Sequence, residues 1–218
     1  MLSFISSLNR KSEAFAIFVT EKYDYKDKNN ILSRSVIEKI DSFINVLKTK
    51  NKEETISFFD ISDQKKCFII KIKNKYENYY PEEIGGTFFS YLKKIKNINT
   101  IDIYADTLNQ DREKLIKFFS EFILGFNLKS YTFNKYKTLN KEKINQKINV
   151  KIITKNKDKI EKKYKYYEAI KEGVFLSRDL VSEPPNVLNP KTYAKEIQKL
   201  SKLGLKIKSY NEKELKKL

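Results

Sequence analysis

The sequence has no histidine and no tryptophan, and it contains a single cysteine, Cys67. Without a second cysteine, the chain cannot form an internal disulfide. Without histidine, it cannot carry a Ser-His or Cys-His nucleophile pair, or a metal held by imidazole. Cys67 lies inside an apolar run, KCFIIKIK, so we expect an inert core thiol rather than a nucleophile.

Long apolar runs are also missing, because no stretch approaches the roughly 20 residues that a membrane-spanning helix needs. The first 15 residues, MLSFISSLNRKSEAF, lack the basic segment followed by an apolar one that is typical of a secretory signal peptide. We therefore expect a cytoplasmic protein that does not associate with membranes.

Arginine is scarce although the chain is basic. The sequence has 45 basic and 28 acidic residues, a net charge of +17, and only four of the basic residues are arginine. Arginine is the side chain that makes bidentate hydrogen bonds to phosphates and base edges. Its scarcity therefore argues against sequence-specific nucleic-acid recognition. With only five glycines and four prolines, the lysine-rich composition is typical of AT-rich codon usage. We favour a solvated lysine surface over a selected binding patch.

The positive charge is concentrated between residues 135 and 171, where 13 lysines accompany four acidic residues and four tyrosines. Lysines interleaved with aromatic residues are typical of a surface that binds a nucleic-acid backbone. An amphipathic helix with its tyrosines turned inward explains the same composition. The candidate nucleic-acid contacts are Lys155, Lys157, Lys159, Lys162, Lys163 and Lys165.

Strand and helix patterns alternate through the first 156 residues. Apolar or alternating runs predict strands over 13–20, 54–61, 66–73, 100–105 and 149–154, and helical spacing predicts helices over 34–50, 81–95 and 110–124. Such alternation predicts an α/β fold, here a three-layer N-terminal domain with a mixed sheet. Asp102 lies in the predicted strand 100–105 and Asp106 directly follows it. We expect both carboxylates to be solvated.

The glycines in the predicted helices have specific roles. Gly85-Gly86 lies inside a helix, where each glycine costs about 1 kcal/mol relative to alanine. We expect close packing against a neighbouring backbone, with a phosphate pocket at a helix start as the alternative. Gly125 is placed as a helix stop, followed by a strand-like or irregular segment over 128–136.

A long helix over 158–181 is predicted to connect two domains, and Pro184-Pro185 ends it. The tail then predicts a helix over 191–203 stopped by Gly204, a strand over 205–210 and a capped helix start at Asn211. A helix and a strand without a partner sheet cannot bury their apolar faces. We therefore expect an N-terminal α/β domain at 1–156, a linker helix at 157–183 and the truncated start of a second α/β domain at 184–218.

Residues 173–190 read GVFLSRDLVSEPPNVLNP, which resembles the signature that opens the catalytic domain of the leucyl aminopeptidases. Residues 125–138, GFNLKSYTFNKYKT, resemble the stretch that precedes the linker in that family. Ser182 departs from the family's usual asparagine. The signature residues that match are Arg178, Asp179, Leu180, Glu183, Pro184, Pro185, Asn186 and Pro190.

The resemblance implies an N-terminal domain similar in fold to macro domains, and a parent enzyme that removes N-terminal residues from peptides. The family uses two divalent cations, zinc or manganese, and assembles as a hexamer. Its metal ligands and catalytic residues lie downstream of the signature. We therefore expect no catalytic residue, metal site or cofactor in this chain, and a structural role for the signature residues in caps, turns and ion pairs.

Three functional hypotheses follow. The chain is the N-terminal portion of a leucyl aminopeptidase, inactive alone and monomeric or weakly associating. Alternatively it is a basic nucleic-acid-binding module, since some bacterial members of the family also bind DNA through this region. A truncated or split gene product with no activity of its own is the third hypothesis.

Overall fold

Six apolar segments pair into one sheet in the computed structural model, which describes residues 2–5, 12–27, 30–49, 54–138 and 148–217. The strands are β1 (Leu2–Ile5), β2 (Ala14–Thr20), β3 (Ile56–Ser62), β4 (Lys65–Ile72), β5 (Thr100–Tyr104) and β6 (Asn149–Ile153). Their order is β1-β6-β5-β2-β4-β3. The β3–β4 pair is an antiparallel hairpin and the other pairs are parallel, so the predicted mixed sheet is confirmed.

Helices cover both faces of this sheet, because successive strand residues point to opposite sides. On one face, α1 (Arg34–Thr49) buries Ile40, Ile44 and Leu47 against Phe15 and Ile17 of β2. On the other face lie α2 (Tyr80–Lys94), α3 (Arg112–Ser130) and the first turns of α4 (Lys157–Ser182). The three-layer α/β prediction is confirmed.

The larger core is rich in phenylalanine. The Phe18 ring of β2 meets Phe118, Phe119 and Phe122 of α3 edge to face, with ring centroids 4.9–6.0 Å apart. In the smaller core Cys67 is fully buried, and burial raises the pKa of its thiol, as an inert core thiol requires.

Two glycines bring the backbones of α2 and α3 into direct contact. A Cβ built on Gly85 would lie 2.0 Å from the carbonyl oxygen of Phe122, and one on Gly125 would lie 1.8 Å from that of Glu82. The expected close packing at Gly85 is therefore confirmed, and this glycine does not line a phosphate pocket. The prediction that Gly125 stops a helix is wrong, because α3 continues through it to Ser130 and includes Leu128.

The chain divides into two compact units, Met1–Lys171 and Glu172–Leu218, with the boundary inside α4. The second unit contains the end of α4, then α5 (Pro190–Gln198), a 3-10 turn over Lys199–Leu203 and α6 (Glu212–Leu215). Gly204 adopts the left-handed conformation (φ 87°) that ends the 3-10 turn, as predicted. Asn211 and Glu214 form the predicted capping box.

One prediction in the second unit is wrong. Residues 205–210 are irregular and pair with no strand in the part of the chain that the structure describes. A strand needs a neighbour to satisfy its backbone groups, and the sheet of the first unit consists only of β1–β6.

Replacing Gly125 with alanine should destabilise the first unit. The added methyl group would overlap the Glu82 carbonyl and force α2 and α3 apart, at a cost of roughly 1–3 kcal/mol or more. Urea unfolding followed by circular dichroism measures the loss.

Gly86→Ala is the matched control, because its Cβ would meet nothing closer than 3.5 Å. That variant should be neutral or gain up to about 1 kcal/mol of helix propensity. Equal unfolding free energies for the two variants would contradict the backbone contact.

Candidate functional sites

The signature segment forms a helix end, a turn and a helix start. Arg178, Asp179 and Leu180 lie in the last turns of α4, which ends at Ser182. The Pro184 carbonyl then accepts hydrogen bonds from the backbone N–H groups of Val187 and Leu188, both at 2.9 Å. This turn contains Pro185 and Asn186 and leads directly into α5.

Asn189 and Pro190 begin α5. The Asn189 side chain accepts from the backbone N–H groups of Lys191 and Thr192, each at 3.1 Å, and the Thr192 hydroxyl accepts from the Asn189 N–H at 2.8 Å. Pro190 occupies the first helical position, where its missing N–H costs nothing. Sequence reasoning missed this capping box, although the spacing Asn-x-x-Thr before a helical pattern could have revealed it.

None of the eight signature residues is buried, and Leu180, Glu183 and Pro184 are the half-buried ones. They follow one another along the backbone, from the end of α4 to the start of α5. Their role as caps, turns and ion pairs stays a prediction.

The basic residues at the start of α4 fall into two groups. Lys159, Lys162 and Lys163 are exposed, and together with Tyr166 they follow the spacing i, i+3, i+4, i+7 along one side of the helix. We call these four residues the lysine stripe. Tyr166 is 65% exposed, whereas Tyr164 is buried, so only part of the tyrosine set turns inward.

Lys157 and Lys165 lie apart from the stripe, in a cleft of about 530 Å³ between β1, α3 and α4. Glu161 and Glu168 line the same cleft. Lys171 is a third lysine in the lining, and the two carboxylates offset part of this positive charge, so the cleft is not a purely basic surface. Lys155, at the turn before α4, is exposed. Part of the basic block, residues 139–147, lies outside the described residues.

Hydrogen bonds anchor the start of α4 in the first unit. The Asn127 side chain donates to the Tyr164 hydroxyl (2.6 Å), and the Tyr167 hydroxyl donates to Glu121 of α3 (2.9 Å). Burial and the Glu121 carboxylate raise the pKa of Tyr167, which keeps its proton on the phenol. The lysine stripe is therefore presented on a helix whose neighbouring side, with Tyr164 and Tyr167, is fixed to the first unit.

A further cleft, of about 290 Å³, lies at the carboxyl ends of β2 and β4 and at the start of α3. Two of its charged residues are engaged with each other, since Asp111 caps α3 by accepting from the Lys114 N–H (3.0 Å) and pairs with the Lys114 ammonium (3.1 Å). The Gln110 side-chain oxygen is buried there without a hydrogen-bond partner. Lys73 also lines this cleft, and its ammonium group lies over the Tyr80 ring at 5.6 Å from the centroid.

Asp102 and Asp106 of the first unit are buried, so the expectation that both carboxylates are solvated is wrong. Asp106 is 8% exposed and accepts from the Thr154 hydroxyl (2.7 Å) and the Lys155 N–H (2.8 Å), which ties the turn after β5 to the end of β6. Asp102 is fully buried within the sheet, where Ser12 donates to one carboxylate oxygen and the other has no partner. The sequence offered no signal for this burial beyond the apolar neighbours of Asp102 in β5.

No described residues form a cluster of three Asp, Glu or Cys side chains that could hold a metal ion. The donor groups of the described residues therefore do not fit the two-cation centre that the resemblance implies. The helices of the described ranges include none that is long and apolar enough to cross a bilayer.

Asp102→Asn should change how stability depends on pH. Burial raises the pKa of Asp102, opposed by the Ser12 hydrogen bond and by the charges of Lys151 and Lys65. The folded state therefore binds this proton more tightly than the unfolded state does. The wild-type chain loses stability as pH rises through the raised pKa, and a neutral asparagine avoids that loss.

The measurement is the urea midpoint of the wild type and of Asp102→Asn at pH 4 and pH 7. The difference, variant minus wild type, should increase from pH 4 to pH 7. Asp63→Asn, at an exposed turn, controls for the general loss of a negative charge. A difference that is the same at both pH values would contradict the assignment.

Solved structures identify the fold class as that of the leucine aminopeptidase N-terminal region. A tomato leucine aminopeptidase variant superposes with a TM-score of 0.70 at 19% identity, covering 93% of this chain and 42% of that chain. The bottromycin maturation enzyme BotP gives a TM-score of 0.62 at 12% identity, covering 94% and 41%. At these identities the likeness concerns the fold alone.

Curated proteins with higher sequence identity to this chain are named as one kind of enzyme. The chain is 40% identical over 137 residues to a probable cytosol aminopeptidase of Agrobacterium fabrum, and 36% identical over 136 residues to one of Rhizobium leguminosarum bv. trifolii. The predicted resemblance to the leucyl aminopeptidases is therefore confirmed. These alignments cover 62% and 61% of the chain but only 27% and 26% of the relatives, so the chain spans about a quarter of their length. No protein-family model matches the sequence.

Proposed function

We propose that this chain is the N-terminal portion of a leucyl aminopeptidase-like metallo-exopeptidase, and that its residues serve as scaffold without catalytic or metal-binding groups of their own. The observation that carries the proposal is the 40% identity to a cytosol aminopeptidase over a stretch that is 27% of that relative. The signature segment after residue 173 supports it, because it folds as a connector between two helices.

In this proposal the parent enzyme removes N-terminal amino acids from peptides in the cytosol. Two divalent cations, zinc or manganese, would supply activation of water and polarisation of the scissile carbonyl. The residues that hold them would lie in the part of the relatives that this chain does not span. The first unit would contribute structural support and assembly, and the chain alone would be a monomer or associate weakly.

The purified chain should not hydrolyse Leu-p-nitroanilide, with or without added Mn²⁺ or Zn²⁺, because the described residues form no cluster of metal-binding carboxylates. Release of p-nitroaniline is followed by absorbance, with the Agrobacterium fabrum relative as positive control. Metal-dependent turnover that co-purifies with this chain would refute the proposal that it is scaffold only.

Binding of duplex DNA is the second candidate function, and the lysine stripe favours it. Three exposed ammonium groups and a 65% exposed tyrosine ring on one side of an anchored helix can contact successive phosphates. The four arginines of the whole chain limit this candidate to contacts with the backbone rather than with the bases.

Fluorescence anisotropy with a labelled duplex at roughly 50 and 200 mM salt tests this candidate. Replacing Lys159, Lys162 and Lys163 with alanine should weaken binding and reduce the salt slope by about 0.9 for each phosphate that the variant no longer neutralises. A matched control replaces the exposed Lys202, Lys206 and Lys213 of the second unit, with the same change in net charge. Absence of binding at the lower salt, or equal losses of affinity in both variants, would eliminate the stripe as a DNA-binding surface.

A further inference from the structure

The two edges of the sheet differ in how they are protected. Strand β3 forms one edge, and its register with β4 shifts between Asp60 and Ser62, where Asp60 also pairs with Lys66. Irregular register and charged side chains keep edge strands from pairing with other chains. Strand β1 forms the other edge and has neither feature. Its four residues, LSFI, are uncharged and follow β6 in unbroken parallel register.

Among the described residues, β1 has a strand neighbour on one side only. The N–H and C=O groups on its other side point out of the sheet, where water or a strand from another chain can satisfy them. All four residues of β1 are half-buried, so the strand is accessible at this edge. Of the two edges, β1 is therefore the one that is open to a partner.

Helix α4 carries a row of alternating charges beside this edge. Lys157, Glu161, Lys165 and Glu168 follow one another at intervals of four, four and three residues, so they lie on one side of the helix. We call these four residues the alternating row. All four line the cleft of about 530 Å³ together with β1. Lys171 lines it as well and pairs with Glu168 of its own chain at 3.5 Å.

The alternating row is complementary to a second copy of itself when the two helices run antiparallel. With a two-fold axis at the level of Lys163, Lys165 of one copy faces Glu161 of the other. Lys157 then faces Glu168 of the other copy. The axis repeats each pairing, which gives four contacts between opposite charges. Such contacts steer association and fix the register of an interface.

The same axis also fits β1. The Phe4 ring lies against the Tyr164 ring, with centroids 6.3 Å apart, so the middle of β1 lies near the level of α4 at which the row is complementary. A two-fold axis perpendicular to the sheet makes the two copies of β1 antiparallel neighbours and keeps both copies of α4 on one side of the joined sheet. Strand pairing and charge pairing therefore require the same axis.

We infer that β1 and the alternating row form a surface that binds a second copy of this chain, so that two six-stranded sheets join edge to edge. Strand pairing satisfies the outer backbone groups of β1, and the four charge contacts set its register. The net charge of +17 on each copy opposes association, so we expect a weak dimer with a dissociation constant in the micromolar range. The surface lies wholly within the first unit, and the inference does not depend on the activity of the parent enzyme.

Sedimentation equilibrium of the full chain, from about 1 μM to about 1 mM, measures the dimer. Glu161→Lys and Lys165→Glu each place like charges opposite one another across the axis, so each variant alone should dimerise at least about tenfold more weakly than the wild type. An equimolar mixture of the two variants restores opposite charges at both of these contacts. Its affinity should return to within about threefold of the wild-type value.

The matched control is Lys159→Glu, an exposed position on another side of α4 that changes the net charge as Lys165→Glu does. This variant alone should not weaken the dimer. Mixed with Glu161→Lys, it should associate more weakly than the mixture of Glu161→Lys with Lys165→Glu, although the net charges are the same. Altered helix stability cannot imitate the restored affinity, because each chain in the mixture still carries its own substitution.

Amide hydrogen exchange tests the strand contact. Exchange at residues 2–5 should slow as the protein concentration rises through the dissociation constant, whereas exchange in β3 should not change. A wild-type chain that stays monomeric over the whole range overturns the inference. A dimer that both single variants retain, or one that their mixture does not restore, also overturns it. Unchanged exchange of β1 in a dimer overturns the strand pairing on which the inference depends.

Discussion

The central strand β2 has a partner on each side, β4 and β5, and its residues 14–19 are buried on both faces. Both neighbours run parallel to it, and a parallel connection needs a crossover that returns the chain over one face of the sheet. The helices on both faces are consequences of this requirement. With Phe15 and Ile17 pointing to one face and Phe18 to the other, β2 supplies side chains to both cores.

The contact between α2 and α3 completes the face that carries the larger core. Because Gly85 and Gly125 have no side chains, the two backbones meet directly, and phenylalanines from both helices surround the contact. The same α3 holds α4 through Asn127 and Glu121. The first half of α4 is therefore fixed within the first unit, and its lysine stripe is a surface of that unit.

The two units differ in what holds them together. The first has a buried core on each face of its sheet, whereas the second has helices set by capping side chains and buries none of its described residues. Capping contributes only about 1 kcal/mol per helix end, which is small compared with the burial of a core.

The sequence by itself was sufficient for β2 to β6, for the existence of all four long helices, for the stop at Gly204 and for the aminopeptidase resemblance. These features depend on local periodicity, on capping residues or on a contiguous motif. The sequence misplaced the end of α3, which continues to Ser130.

Four features required the tertiary structure. The short edge strand β1 exists through its pairing with β6, which lies nearly 150 residues away. Glycine often ends a helix, so Gly125 was expected to do so. Only the close approach of the Glu82 carbonyl shows that Gly125 instead lets the backbones of α2 and α3 pack together. Asp102 is buried because Ser12 and the surrounding sheet enclose it. Residues 205–210 have the pattern of a strand but no neighbour in the described chain, since backbone pairing is a property of two segments and cannot be read from one.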